Sequence, residues 1–268
     1  MAEPALSDPE LGSIAVRLRG ATKTYDNGVT ALGPLDLDVI RGEFVSLLGP
    51  SGCGKSTALR LIAGLVTPSS GTVTVSHQAG SRDRRHSIGF VFQEPTLMPW
   101  ASVRENVRLP LKLSHVPARD AEARIGEALA QVGLAEFADA YPRELSGGMK
   151  MRVSLARALV TDPDILLMDE PFAALDEITR FRLNNDLLDL WRNLKKTVVF
   201  VTHSVFESVY LSQRVVVMTS RPGRIASEFR IDTPEPRVED FRMSSGYAAY
   251  CREVSKALSP SYTELSGA

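Results

Sequence analysis

The residue spacing with the clearest chemical meaning lies at positions 49–57, which read GPSGCGKST. Gly49, Gly54, Lys55 and Ser56 fill the pattern G-x-x-x-x-G-K-[ST] in full. Glycines let a backbone wrap an anion without Cβ clashes, and free amides at the positive end of a following helix attract it. The pattern predicts a phosphate-binding loop in which Lys55 reaches the outer phosphates and Ser56 holds Mg²⁺. The residues assigned to this loop are Gly49, Pro50, Ser51, Gly52, Cys53, Gly54, Lys55, Ser56 and Thr57.

An acidic pair supplies the second half of such a site. Residues 165–168 form an apolar run with the composition of a buried strand, and Asp169 and Glu170 follow it directly. Ligands of α/β sheets bind where strands end, so Asp169 is the expected magnesium ligand. Glu170 is expected to act as a base or to position water for attack on a γ-phosphate. Both patterns also have an ordinary interpretation. The first could be a glycine-rich turn with an exposed lysine, and the second could be a solvated pair of charges.

The elements around these residues predict a mainly parallel sheet. The apolar run 43–48 has the composition of a strand buried on both faces, and the residues from Lys55 onward have helical periodicity. Segments 14–18 and 35–40 alternate apolar and polar residues, which predicts an antiparallel element at the start of the chain. Short strands are also predicted over 72–76 and 88–92. Later, strands predicted over 164–168, 197–202 and 213–218 alternate with helices predicted over 177–195 and 204–210.

A helical block interrupts the strands of this α/β core. Helices are predicted over 101–113, 118–132 and 148–160, with Pro110, Pro117 and Pro142 as punctuation. We interpret residues 95–160 as a helical subdomain inserted into a domain of residues 13–230. A flexible tail is expected over 1–12, a polar surface loop over 80–85 and a partly helical extension over 231–268, with its helix at 238–258.

Composition excludes several classes of protein. The 268 residues carry a formal net charge of −1, which leaves no broad basic field for nucleic acid. The two cysteines, Cys53 and Cys251, are too few for a disulfide scaffold, so a reducing compartment fits. No window approaches the roughly 18 apolar residues that span a bilayer. The first ten residues do not read as a signal peptide, and we expect a cytoplasmic protein that meets a membrane only through a partner.

A second anion-binding helix end is predicted at Ser146. This residue reads as an N-cap, and Gly147 and Gly148 open the helix behind it with free amide groups. In a two-fold dimer, the phosphate loop of one copy can face this helix of the other copy, so that ATP is shared. Taken alone, these residues favour the alternative, an ordinary capped helix.

The segment that contains this cap, LSGGM at residues 145–149 followed by KMRVSLARAL, resembles the signature of ATP-binding-cassette (ABC) ATPases. The resemblance extends over about residues 14–230 and implies a P-loop NTPase core of the ABC type. It departs at Met149 and Met151, where the family commonly has glutamine. Among residues outside the loop, it implies that Tyr25 stacks on adenine, that Gln93 senses Mg²⁺ and the γ-phosphate, that Asp176 lies in a loop crossing between protomers, and that His203 is a switch histidine. A lone histidine after a strand is otherwise more often structural.

The sequences of three segments, VFQEPTLMPW, LSGGM and SRPGRI, resemble those of the ATPases of bacterial nitrate, sulfonate and taurine importers. This resemblance implies ATP and Mg²⁺ as cofactors and two copies of the chain at the cytoplasmic face of the inner membrane. The partners it implies are two integral-membrane permease subunits and, indirectly, a periplasmic solute-binding protein, with no nucleic acid. The alternatives are an importer ATPase for a different small solute, a soluble ABC ATPase acting on nucleic acid or ribosomes, and a catalytically weak binding module.

The residues after Gln93 have two interpretations of equal weight. Leu97, Met98 and Trp100 could line a groove for a short helix of a partner, or they could belong to the core of the helical subdomain.

Overall fold

The computed structural model describes residues 14–76, 88–232, 237 and 239–266. The predicted tail over 1–12 and the predicted surface loop over 80–85 lie outside the described residues. The strands are β1 (Ile14–Thr24), β2 (Thr30–Ile40), β3 (Phe44–Leu48), β4 (Ser70–Val75), β5 (Ile88–Val91), β6 (Ile165–Asp169), β7 (Thr197–Thr202), β8 (Arg214–Met218) and β9 (Ile225–Arg230). The α-helices are α1 (Lys55–Ile62), α2 (Val103–Leu113), α3 (Ala118–Gln131), α4 (Gly147–Leu159), α5 (Glu177–Leu194), α6 (Val205–Leu211) and α7 (Ser245–Ser266).

The main sheet has six strands in the order β5-β6-β7-β3-β8-β9. The first five are mutually parallel, which confirms the predicted parallel sheet, and β9 joins the edge antiparallel to β8. Sequence reasoning missed β9, because its residues alternate between exposed and half-buried and carry little apolar signal. The predicted antiparallel element is also confirmed, since β1 pairs with β2, and β4 completes this second sheet in the order β2-β1-β4.

The central strand β3 is buried on both faces. Val45 and Leu47 pack with α1 and the antiparallel sheet, whereas Phe44 and Leu48 pack with the helical block and α5 on the other side. A strand covered on both faces has no solvated side, which explains why its five residues include only one polar side chain, Ser46. Helix α1 is therefore held between two sheets, and its first turn is fixed against the end of β3.

Helices α2, α3 and α4 pack on one another beside the main sheet. Helix α2 begins at a capping box made by Ser102 and Glu105, and it continues through Pro110 to Leu113. The helix predicted over 101–113 is confirmed from Val103 onward, and Pro110 lies inside it without ending it. Buried apolar side chains on both sides of the proline tie the segment to the core, and this packing outweighs the lost backbone hydrogen bond.

The C-terminal helix begins later than predicted, at Ser245 instead of 238, after a short 3₁₀ turn over Glu239–Met243. The Ser244 hydroxyl accepts a hydrogen bond from the Tyr247 amide, which marks the start of the helix. Tyr247, Cys251, Val254 and Leu258 are buried at helical spacing in the same core as α5 and α6. The boundaries predicted for the subdomain and for the extension remain a prediction.

Arg237 connects this extension to α6. Its guanidinium, only 4% exposed, donates hydrogen bonds to the carbonyls of Val209 at 3.4 Å, Tyr210 at 2.9 Å and Ser212 at 2.7 Å, and to Ile231 at 3.2 Å. Carbonyls at a helix C-terminus have no partner within the helix, so the arginine satisfies groups that burial would otherwise leave unpaired. Among the described residues, no helix has both the length and the apolar content needed to cross a bilayer.

We expect Arg237→Met to lower the free energy of unfolding by about 2–4 kcal/mol, because several buried carbonyls lose a charged donor at once. Urea denaturation followed by circular dichroism measures this change. Arg230→Met, at an exposed position of β9, is the control and should leave the midpoint nearly unchanged. Equal midpoints for the two variants would contradict the role assigned to Arg237.

Candidate active site

The loop between β3 and α1 can be built only with glycine at its last position. Gly54 has φ of 106°, and a Cβ atom there would lie 2.4 Å from the carbonyl oxygen of Ala31. An L-residue would therefore be strained by its backbone angle and would also collide with β2. Gly54 is the N-cap of α1 and no side chain caps that helix, so its first amides are available to an anion.

The charge inside the loop comes from Lys55, which is 3% exposed. Its ammonium donates hydrogen bonds to the carbonyls of Gly49 at 2.8 Å and Pro50 at 2.9 Å, and it lies 3.5 Å from Oε1 of Glu170. A buried ammonium is stable only when it is paired and hydrogen-bonded, and these three oxygens supply that pairing. The lysine therefore gives the loop a fixed positive centre.

Two side-chain oxygens lie close together where β6 ends and α1 begins. The hydroxyl of Ser56 donates to Oδ1 of Asp169 at 2.8 Å. Burial raises the pKa of Asp169 above its usual value, with the Ser56 hydrogen bond opposing that rise and the neighbouring charge of Glu170 adding to it. Among the described residues there is no group of three or more His, Cys, Asp or Glu side chains that could hold a metal. A hydroxyl and one carboxylate fit Mg²⁺, which commonly takes few protein ligands and completes its shell with water and phosphate oxygens.

Glu170 follows β6 in an unusual backbone conformation. Its φ of 45° is in the left-handed region, and its amide donates to the carbonyl of Val201 at 3.0 Å. This bend directs one carboxylate oxygen to Lys55 and the other, Oε2, to Nδ1 of His203 at 3.0 Å. A non-glycine residue held at positive φ is typical of functional sites. The imidazole is about half exposed, so Glu170 and His203 lie at the edge of the site.

A cleft of about 460 Å³ runs from the loop to the antiparallel sheet. Tyr25 lines one end, with its hydroxyl 3.3 Å from the Thr57 hydroxyl, while Gln93 and Glu170 line the cleft near the loop. Of the loop residues, the cleft exposes Ser51, Gly52, Gly54, Lys55, Ser56 and Thr57. Gly49, Pro50 and Cys53 do not line it, and burial raises the pKa of the Cys53 thiol.

Sequence reasoning missed two arginines that line the same cleft. Arg60 lies on α1, and Arg221 donates from Nε and Nη2 to the carbonyl of Gly52 at 3.3 Å and 3.2 Å. Arg221 is 169 residues away from Gly52 along the chain. No local pattern indicates this contact, although Arg60 could have been found from its position one helical turn beyond Ser56.

The predicted second anion site is located elsewhere in the chain. Ser146 caps α4, accepting a hydrogen bond from the Met149 amide at 3.3 Å, and Gly147 and Gly148 form its first turn. Gly148 packs so closely that a Cβ atom there would lie 2.8 Å from Cγ2 of Thr179. Asp176 caps α5 through the amide of Thr179, and this hydrogen bond lowers the pKa of its carboxyl. Ser146, Gly147, Gly148 and Asp176 do not line the cleft formed by the described residues.

A buried ammonium in a glycine loop, a hydroxyl–carboxylate pair and a free helix end define a site for a nucleoside triphosphate in a parallel α/β fold. Comparisons with known proteins define the family. The model of the ABC transporter family matches residues 32–173. The chain therefore belongs to the ABC transporter family, and it is an ABC-type ATPase, an ATP hydrolase.

Several curated relatives have names that include a solute. The nitrate import ATP-binding protein NrtD of Synechocystis is 44% identical over 245 residues, covering 88% of this chain and 91% of the relative. The taurine import ATP-binding protein TauB of Rhizobium johnstonii is 48% identical over 208 residues, covering 78% and 79%. Among solved structures, the dimeric bacterial ABC transporter cassette MJ0796 is 35% identical with a TM-score of 0.70, covering 82% of this chain and 100% of its own. A second structure of MJ0796 contains ADP and Pi.

We expect Gly54→Ala to lower the melting temperature by about 5–10 °C, because the new Cβ meets a backbone carbonyl and the positive φ strains alanine. Differential scanning calorimetry measures the shift. Gly126→Ala is the matched control, since Gly126 lies in α3 with open space around it. There the substitution should raise the melting temperature slightly. The same melting temperature for both variants would contradict the close packing described for Gly54.

Proposed function

We propose that the chain is the ATP-hydrolysing subunit of a bacterial ABC importer for nitrate, sulfonate, taurine or a related small solute. In this proposal it binds two ATP molecules in a head-to-tail homodimer and drives a membrane permease. The observation that carries the hydrolytic part is the placement of Glu170 between the Lys55 ammonium and the His203 imidazole. The solute class is supported by the names of the nitrate and taurine import relatives.

In the proposed mechanism, the amides of the loop and the Lys55 ammonium bind the β- and γ-phosphates of ATP. Ser56 and Asp169, with Gln93 at the edge of the cleft, would hold Mg²⁺. When bound, the ion neutralises the charge on the phosphate oxygens. Tyr25, which lines the cleft, is the proposed stacking partner of adenine.

Glu170 is the proposed base. Its carboxylate accepts a proton from a water molecule as the water oxygen bonds to the γ-phosphorus, and the bond to the β-phosphate oxygen breaks to release ADP. A carboxylate can only accept hydrogen bonds, so Nδ1 of His203 carries the proton that joins the two groups. The imidazole thereby holds Glu170 in one orientation and is the proposed sensor of the γ-phosphate.

The proposed dimer follows from the separation of the two anion sites. The capped start of α4 is exposed and does not line the cleft of its own chain. In a head-to-tail pair, Ser146, Gly147 and Gly148 of one copy would close on the nucleotide held by the other, and Asp176 would lie between the copies. The dimeric state of the similar cassette MJ0796 supports this arrangement.

The proposed permease contact involves the segment after Gln93. Leu97 packs against the core of the helical block, as one of the two interpretations expected, whereas the side chain of Trp100 is 76% exposed. An exposed tryptophan is a common anchor at protein interfaces. In this proposal the chain is held at the cytoplasmic face of the inner membrane by two permease subunits, with a periplasmic binding protein selecting the solute and no nucleic acid involved.

We expect Glu170→Gln to bind ATP with an affinity within about threefold of the unchanged protein and to hydrolyse it at least about a hundredfold more slowly, because the amide cannot accept the proton from water. Calorimetry and phosphate release measure the two quantities. With ATP, this variant should elute as a dimer in size-exclusion chromatography.

Two controls accompany this variant. Glu127→Gln, at an exposed position of α3, should hydrolyse ATP normally. Adding Ser146→Arg to Glu170→Gln should abolish the dimer but leave nucleotide affinity intact, because the new side chain blocks the start of α4 only. Normal turnover by Glu170→Gln would refute the assignment of the base, and a dimer that survives Ser146→Arg would refute the shared site.

Deleting the gene in its host should abolish uptake of one solute among nitrate, taurine and alkanesulfonates, since the permease would lack its energy source. Uptake of isotope-labelled solutes measures the loss. Expression of the unchanged chain should restore uptake, and Glu170→Gln should not. Unchanged uptake of all three solutes would contradict the proposed solute class, and recovery of the chain with nucleic acid instead of with washed membranes would contradict the importer.

A further inference from the structure

A buried acid on α6 has no part in the mechanism above. Glu207 lies four residues after His203 and is 8% exposed. Burial raises the pKa of its carboxyl, and the hydrogen bond from Thr202 and the charge of Arg180 oppose that rise. Acids are rarely buried to this extent unless a partner holds them.

One oxygen of Glu207 is tied to the backbone around His203. The hydroxyl of Thr202 donates to Oε2 at 2.6 Å, and the same hydroxyl accepts a hydrogen bond from the amide of Ser204 at 3.0 Å. The amide of Glu207 in turn donates to the hydroxyl of Ser204 at 3.3 Å. The residues before and after His203 are thus both bonded into one network that includes Glu207.

The other oxygen of Glu207 faces Arg180 on α5. Oε1 lies 3.8 Å from Nε of Arg180, too far for a hydrogen bond, and both atoms are buried without a hydrogen-bond partner among the described residues. Nη2 of Arg180 donates to the carbonyl of Leu175 at 2.9 Å. Leu175 immediately precedes Asp176, so the arginine is fixed to the loop that leads into α5.

We propose that Arg180 and Glu207 form a positioning pair that couples the loop ending at Asp176 to the orientation of His203 toward Glu170. A pair serving stability alone would gain most from direct contact, yet here the distance between Nε and Oε1 is 3.8 Å, about 0.8 Å longer than a typical N–H···O hydrogen bond. A movement of that size between the start of α5 and α6 closes or opens the contact. In this proposal, the hydrogen bonds of Thr202 and Ser204 transmit the movement to the imidazole of His203. This inference rests on the proposed role of His203.

We expect turnover to change because neither residue of the pair lines the cleft. A displacement of about 1 Å at a group that orients the base can cost up to about a hundredfold in rate. We expect Arg180→Met and Glu207→Gln each to lower kcat about five- to twentyfold while KM for ATP stays within about twofold. The double variant should be no slower than the slower single variant, since both substitutions remove the same coupling.

The test combines each substitution with His203→Ala and measures single-turnover hydrolysis of radiolabelled ATP. If the pair acts through His203, Glu207→Gln should cause no further loss in the His203→Ala background. If His203→Ala leaves kcat unchanged, the proposed role of His203 fails. If His203→Ala slows hydrolysis and Glu207→Gln then adds its full effect, the positioning pair alone is refuted.

A second, partly buried ion pair provides the matched control. Glu43 and Arg214 are 12% and 13% exposed and lie 2.8 Å apart at the amino ends of β3 and β8, opposite the loop. Glu43→Gln and Arg214→Met should lower the melting temperature but leave kcat unchanged. The proposal is overturned if the Arg180 and Glu207 variants show that same pattern. Glu207→Gln keeps the shape of the side chain, so it tests the proposal even if Arg180→Met does not fold.

Discussion

Glu170 has one carboxylate oxygen 3.5 Å from a buried ammonium and the other 3.0 Å from an imidazole, and the rest of the structure serves to keep these three groups together. Lys55 comes from the start of α1, Glu170 from the end of β6 and His203 from the end of β7. The carboxyl ends of parallel strands lie at the same edge of a sheet. The three side chains therefore come together although they are far apart in the sequence. The antiparallel sheet contributes by fixing α1 from the other side.

Helix α6 receives restraints along its whole length. Its first turn carries Glu207 and the hydrogen bonds to the residues around His203. The hydroxyl of Tyr247 in α7 donates to the carbonyl of Phe206 at 3.0 Å, and Arg237 satisfies the carbonyls at the C-terminal end. A helix of seven residues is unstable by itself, so these contacts determine where it lies. Because α6 begins two residues after His203, its position also sets the position of the imidazole.

Much of the fold and part of the site could be predicted from local patterns. The phosphate loop, the acids after β6 and the cap at Ser146 all depend on residues within a few positions of one another, and spacing alone reveals them. Strands buried on both faces and amphipathic helices likewise leave a periodic signal. Prediction failed where an element is polar on its exposed side, as in β9.

By itself, the sequence determined the phosphate loop, the acids after β6, the parallel sheet and the family, because each is encoded by neighbouring residue types. Only the tertiary structure decided that Arg221 reaches Gly52 and that Ser56 bonds to Asp169. The same is true of the ion pair between Arg180 and Glu207, which connects α5 to α6. These contacts join residues 27 to 169 positions apart along the chain. Their distances depend on how helices and strands pack, and the residue pattern of one segment does not indicate where another segment lies.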